Sequence, residues 1–307
     1  MFFETAGIEV AVWIPPLVGL VVCTICSTAG VSGAFLLLPF LVSVLGYTSP
    51  GVSATNQLYN VLSNPGGLWR YWREGRLLGP LALTVAVGTL PGVLLGVLMR
   101  VTWFPDARRF KFFVSLVLLF IAYRLGKDVY EAILTKKSTE AENRFHRAAR
   151  NGGGPLPRPQ VVSFGWCRLE FEFMEQRFSV ACPWVFLLSL AVGTVGGVYG
   201  IGGAAIMAPF LVSVLKLPVY VVAGATILGN FLTATAAVLS FYLLAPYFPQ
   251  YSLQPDIALG VLFGVGGLVG SYLGARLQKY LPASVIKLLL LALVLYTAAK
   301  YLLAFFG

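Results

Sequence analysis

The sequence predicts an all-α integral membrane protein built from two homologous repeats, and three observations carry that reading. Of 307 residues, 58% are hydrophobic, against 22 basic and 12 acidic ones, and the mean hydropathy is +0.83. A soluble domain of this size carries about twice that charge fraction. The apolar residues gather into segments, several of them close to the ~20 residues that a membrane-spanning helix needs. Finally, a stretch near residue 40 recurs near residue 210. Together these features exclude a soluble enzyme, a nucleic-acid binder and a disordered chain. The net charge of +10 sits between the apolar runs, as basic loops beside membrane spans do, so it gives no reason to invoke nucleic acid.

Ten apolar segments follow in order: 10–28, 34–47, 52–69, 77–99, 112–134, 183–198, 204–215, 219–247, 256–277 and 284–305. The first is preceded by Glu4 and Glu9, and no Lys or Arg occurs before Arg70, so the basic start of a secretory signal is missing. The segments at 34–47, 183–198 and 204–215 are too short to cross ~30 Å of hydrocarbon comfortably. Beside glycine-rich breaks they read as half-helices or re-entrant hairpins. The middle of the chain is polar, with 13 charged residues between 136 and 180. Asn151-Gly152-Gly153-Gly154-Pro155-Leu156-Pro157-Arg158-Pro159 is a linker by composition. Beyond it, Leu169-Glu170-Phe171-Glu172-Phe173 alternates acid with aromatic, the period of a short strand or small hairpin on the membrane surface; an amphipathic interfacial segment is the competing reading.

The repeat organises the whole chain. Pro39-Phe40-Leu41-Val42-Ser43-Val44-Leu45 recurs identically at Pro209–Leu215. With the same offset, Gly30-Val31-Ser32-Gly33-Ala34 lies over Gly200-Ile201-Gly202-Gly203-Ala204 and Asn60 over Asn230. Ala54-Thr55 falls one residue from register with Ala225-Thr226, and Gly88, Gly92 and Gly96 match Gly266, Gly270 and Gly274. This divides the chain into a first transmembrane repeat (1–135), a polar loop (136–181) and a second transmembrane repeat (182–307). The basic central loop and the loop with Arg70, Arg73 and Arg76 are expected in the cytoplasm. The acidic N-terminus and the loop with Asp256 are expected outside. An odd number of crossings per repeat satisfies all of these and makes the repeats inverted. Arg100, Arg108, Arg109 and Lys111, read as one external loop at 100–111, oppose that arrangement.

Two glycine breaks at equivalent positions are the main functional signal. Unwound backbone inside a membrane persists only when buried in protein or facing a cavity. A helix restarting after such a break presents N–H groups and a positive dipole end. Gly30, Ser32 and Gly33 with Gly200, Gly202 and Gly203 are therefore expected to cradle a small anion near the midplane. Thr55, Asn56, Asn60, Thr226 and Asn230 follow the breaks and supply neutral hydrogen-bond donors. Glue between helices is the other use of such residues in membranes. No Asp or Glu falls in the middle of an apolar segment, which argues against carboxylate-relayed ion coupling and suits an anionic ligand. The Gly-xxx-Gly rows read as close helix packing, within a protomer or at a homodimer contact. Cys23-Thr24-Ile25-Cys26 has redox spacing but lies in an apolar helix without a nearby His. The single histidine, His146, leaves no metal site and no cofactor is expected.

A Gly-x-Gly-Gly break followed by proline, an Ala-Thr pair with polar residues beyond it, and the whole unit repeated after a polar loop resemble the sulfite exporter TauE/SafE family of membrane permeases. The second copy is the closer match, because Ser32 stands where it has Gly202. The resemblance spans about residues 10–305. It implies a multi-pass plasma-membrane protein that exports sulfite or a small organosulfonate by alternating access, with the lipid bilayer and the anion as partners. An anion channel is the alternative, and a membrane thiol redox protein using Cys23 and Cys26 is a more distant one.

Overall fold

The computed structural model describes residues 1–28, 31–135, 158–204, 206–278 and 283–306. Ten α-helices stand among them: α1 (Ile14–Thr28), α2 (Ala34–Ser43), α3 (Gly51–Arg73), α4 (Gly79–Thr102), α5 (Ala107–Thr135), α6 (Cys182–Tyr199), α7 (Met207–Ser213), α8 (Val219–Leu244), α9 (Ile257–Leu277) and α10 (Ala283–Phe306). Four helical stretches among the described residues are long and apolar enough to cross a membrane: Gly79–Thr102, Cys182–Tyr199, Tyr220–Tyr247 and Ile257–Leu277. The expectation that 183–198 is too short is thereby corrected. Pro183 sits in the first turn of α6, where its missing N–H is harmless, and the helix runs 18 residues to Gly200. By contrast α2 and α7, with 10 and 7 residues, are the half-length pieces that the breaks predict.

Two small sheets accompany the helices. Phe2–Phe3 (β1) and Ile8–Glu9 (β2) form an N-terminal hairpin that hydropathy does not reveal. Gln160–Phe164 (β3), Arg168–Phe173 (β4) and Gln176–Ala181 (β5) form an antiparallel sheet of order β3-β4-β5. Leu169, Phe171 and Phe173 are buried on one face of β4, so the alternation in the sequence is that of a strand. The all-α expectation needs this correction.

Helix pairing follows the glycine rows. The most extensive contacts are α4 with α6 and α1 with α9, followed by α3 with α9, α5 with α10, α4 with α8 and α3 with α8. Gly88 lies against Ser189 and the Phe186 carbonyl, and Gly266 against the Pro16 carbonyl and the Leu20 nitrogen. Both rows are thus consumed by contacts inside the chain. A methyl group on Gly266 would overlap the Pro16 carbonyl. Gly266→Ala is therefore expected to destabilise the protein by about 1–3 kcal/mol, the usual cost of overpacking. Thermal unfolding in detergent checks this, and an unchanged midpoint would contradict the packing argument.

The two faces of the helix bundle are distinguished by their loops. On one face, Gly51 donates to the Ser252 carbonyl (2.7 Å), Ala6 donates to Asp256 Oδ2 (3.2 Å) and Asp256 N donates to Thr55 Oγ1 (2.9 Å). On the other, Arg76 donates to Gln278 Oε1 (2.9 Å) and Glu74 Oε2 (3.0 Å), the start of α8 meets the Arg76 carbonyl at Gly224, and Arg158 covers Gly75. Helix α3 runs from the first face to the second, and α8 runs the opposite way. Arg100, expected in a loop, is instead a fully buried residue in the last turn of α4. Its charge does not count toward loop topology.

Candidate functional site

The site lies where the two breaks meet α3 and α8. Helix α6 ends on Gly200 in the left-handed region (φ +83°), and Gly202 repeats that conformation (φ +88°). L-residues with a Cβ avoid this region at a cost of about 1–2 kcal/mol. In the first break Gly33 is right-handed and begins α2, while Gly30 lies outside the described residues.

Two asparagines of α3 lock the breaks together. Asn56 Nδ2 donates to the carbonyls of Ala34 and Gly200, both at 2.9 Å. Asn60 Nδ2 donates to the Ile201 carbonyl (2.7 Å), and Asn60 Oδ1 accepts from Ser32 Oγ (2.7 Å). Two of these bonds tie residues more than 140 positions apart, and all the groups are buried or nearly so. The N–H groups of the restarting segments are also engaged: Ala34 N donates to Ser32 Oγ (3.3 Å) and Gly203 N to Thr233 Oγ1 (3.1 Å). Thr55 is taken up by the Gly51 carbonyl, Tyr47 and the Asp256 nitrogen.

Asn230, one repeat on from Asn60, is in a different state. It is 2% exposed, and neither its Nδ2 nor its Oδ1 has a hydrogen-bond partner among the described residues. For Oδ1 the reason is one substitution between the repeats. Ser32 supplies the hydroxyl that Asn60 accepts from, whereas Gly202 has no side chain to offer Asn230. A buried unsatisfied amide costs about 1–3 kcal/mol, so the arrangement calls for a ligand or water. Asn64, one turn beyond Asn60 on α3, likewise has a buried Nδ2 without a partner among the described residues.

Asn230 and Asn64 line one cavity of ≈ 30 Å³, with Val31, Ser32 and Gly33 of the first break, Ala204 of the second, Thr226, Tyr71, Ser271, Ser27 and Cys23. A water needs about 10–15 Å³ on this measure, so there is room for about two waters or one small oxyanion. Its wall is neutral: amides, hydroxyls, a thiol and apolar groups. Residues 16–301 match the sulfite exporter TauE/SafE family along most of the chain. The chain belongs to the sulfite exporter TauE/SafE family. It is a multi-pass membrane protein. Over 122 residues it is 25% identical to the "Probable membrane transporter protein YdhB" of Bacillus subtilis (strain 168), a match covering 40% of this chain and 46% of that relative, about half its length. No solved structure matches the chain significantly.

In this TauE/SafE chain the sequence-derived residues therefore separate into two groups. Ser32, Gly33, Thr226 and Asn230 reach the cavity wall. Asn56, Asn60, Gly200, Gly202 and Gly203 build the junction behind it, and Thr55 is tied instead to the Asp256 loop. Thr226 faces the cavity with its hydroxyl turned to the Val222 carbonyl (3.0 Å). Among the wall residues outside the expected set, Ser271 hides in a glycine-rich helix, where a small residue reads as packing. Its hydroxyl donates to the Ser63 carbonyl (2.6 Å) and accepts from Gly67 N (3.0 Å). Asn64 was legible as a face-mate of Asn60 at helical spacing. Cys23 lies on the wall; Cys26 is buried and does not line it.

Proposed function

We propose that this protein is a membrane transporter for a small sulfur oxyanion, sulfite first, and that Asn230 and Asn64 hold the anion. The observation that carries the reading is the pair of buried carboxamides whose Nδ2 groups have no partner among the described residues, on one neutral cavity wall between two helix breaks. Amide N–H groups stabilise an oxyanion without a fixed charge, so they hold the solute without the grip of an ion pair. Hydrogen bonds to a charged group contribute about 1.5–3 kcal/mol each. An oxyanion that keeps one proton, as hydrogen sulfite does, also satisfies Asn230 Oδ1. The small volume favours sulfite over longer organosulfonates.

Transport proceeds by alternating access between two inverted repeats. Two features support this. Exchanging the repeats maps the main helix contacts onto each other: α1 with α9 onto α6 with α4, and α3 with α9 onto α8 with α4. The equivalent helices α3 and α8 run in opposite directions. The cavity lies on the Tyr71 and Gln278 side of the breaks, and the Asn56 and Asn60 bonds close the path toward the Asp256 side. A closed junction of this kind favours a carrier over an open channel. On this reading the basic Arg70 and Arg73 at the end of α3 make the cavity side cytoplasmic in a plasma membrane, with the N-terminus outside; Arg76, buried and paired with Glu74, does not count.

Purified protein in proteoliposomes is expected to move labelled sulfite with saturable, counterflow-capable kinetics. Sulfate, taurine and sulfoacetate should compete more weakly in order of size. Failure of every oxyanion to move or compete overturns the reading, and single-channel currents replace the carrier with a pore.

A further inference from the structure

Arg100 is buried completely, yet no carboxylate lies within 4.0 Å of it among the described residues. Its Nε donates to Ser53 Oγ (3.1 Å), its NH1 group donates to the Phe104 carbonyl, and its NH2 nitrogen has no partner among the described residues. The guanidinium carbon stands 3.8 Å from the Phe110 ring centroid. That ring eases the burial of a cation but does not neutralise it. Arginine stays protonated in proteins, so a full positive charge sits in the last turn of a membrane helix, where burial without a counter-charge is costly. The nearby acids are committed elsewhere. Asp256 accepts from Leu259 N and Ala6 N, and Asp106 accepts from Arg108 N and Arg109 N.

Position gives this charge a meaning. Ser53, which holds Nε, packs against the left-handed Gly200: a Cβ there would stand 2.6 Å from Ser53 Cβ and 3.0 Å from its Oγ. Asn56 and Asn60 follow on the same helix, and Asn64 opens onto the cavity. Eleven residues of α3 separate Ser53 from Asn64, about 16 Å at helical rise. The order along the path is therefore cavity, asparagine junction, Ser53, Arg100. The glycine rows align Arg100 with Gln278, which sits at the opposite face and accepts from Arg76 and Tyr71. There the buried arginine, Arg76, is paired with Glu74 at 3.0 Å. Of these two, only Arg100 has no acid beside it among the described residues.

We infer that Arg100, with Ser53, forms a second oxyanion station on the far side of the asparagine junction, receiving the solute when the junction opens. The inference rests on the transport reading above and deepens it. The free NH2 group and the Ser53 hydroxyl present donors to an oxyanion, and the anion supplies the missing counter-charge. A charge-assisted site at this end binds the solute from that side more tightly than the neutral cavity does from the other.

Sulfite flux measured separately from each face of oriented proteoliposomes tests this. R100Q is expected to raise the half-saturating sulfite concentration at the Asp256 face about tenfold, the loss of one charged hydrogen bond, and to change it less than about twofold at the Arg73 face. R100K, which keeps the charge, should retain most of the affinity at the Asp256 face. S53A should weaken the same face alone, and it keeps the test decisive if R100Q does not fold. Equal changes on both faces, or none on either, overturn the station and leave the transport reading standing. Wild-type protein that moves no sulfite overturns both.

Discussion

Asn230→Ala is expected to cut sulfite flux at low concentration about 10- to 100-fold, the worth of a hydrogen bond to a charged solute, without loosening the fold. The Asn230 side chain makes no hydrogen bond to the described residues. Removing it breaks no internal bond and deletes a buried amide whose desolvation is uncompensated. The unfolding midpoint in detergent should stay level or rise. Its repeat partner behaves oppositely. Asn60→Ala removes the bonds to the Ile201 carbonyl and from Ser32 Oγ, leaves both groups buried, and should cost about 1–3 kcal/mol of stability. Asn230→Asp keeps the volume and adds a carboxylate to a neutral wall, so it should abolish flux of an anion outright. Flux and thermal unfolding measured on the three variants decide the matter. If Asn230→Ala destabilises as much as Asn60→Ala, Asn230 is a structural residue and the binding assignment fails.

That opposition shows where sequence reading stops. Helix limits were legible because apolar run length is a local property: 256–277 became Ile257–Leu277, and 284–305 became Ala283–Phe306. The pairing of glycine breaks with Asn60 and Asn230 was legible because it recurs at one offset. The division of labour between the two asparagines was not. It depends on whether position 32 or 202 brings a hydroxyl within reach, and that requires the geometry of a junction between residues some 30 positions apart. The expectation that backbone N–H groups would be the donors also depends on geometry, since Ser32 and Thr233 occupy the Ala34 and Gly203 nitrogens. Arg100 looked like a loop charge because a basic residue near the end of an apolar run reads as its boundary, whereas α4 runs on through it to Thr102. Its burial comes from Ser53 on α3 and Phe110 on α5, contacts set by how the flanking helices pack and not by local apolar run length.

Gly202→Ala should damage stability and transport together, and a second mutation can separate the causes. At φ +88° any residue with a Cβ is strained, at about 1–2 kcal/mol. In addition the new methyl group would overlap Asn230 Oδ1, and overpacking of this kind adds about 1–3 kcal/mol. The displaced carboxamide has only the cavity to move into, so sulfite flux should fall at least as far as in Asn230→Ala. Gly202→Ala/Asn230→Ala removes the overlapping atoms and keeps the backbone strain. The double variant should therefore recover the steric part of the stability, about 1–3 kcal/mol of positive coupling between neighbours, while transport stays lost. Denaturant unfolding of both single variants and the double variant, read beside sulfite flux, closes this cycle. Additive stabilities would mean that Gly202 and Asn230 do not touch in the working protein, and the account of why glycine rather than serine occupies the second break would fall with that contact.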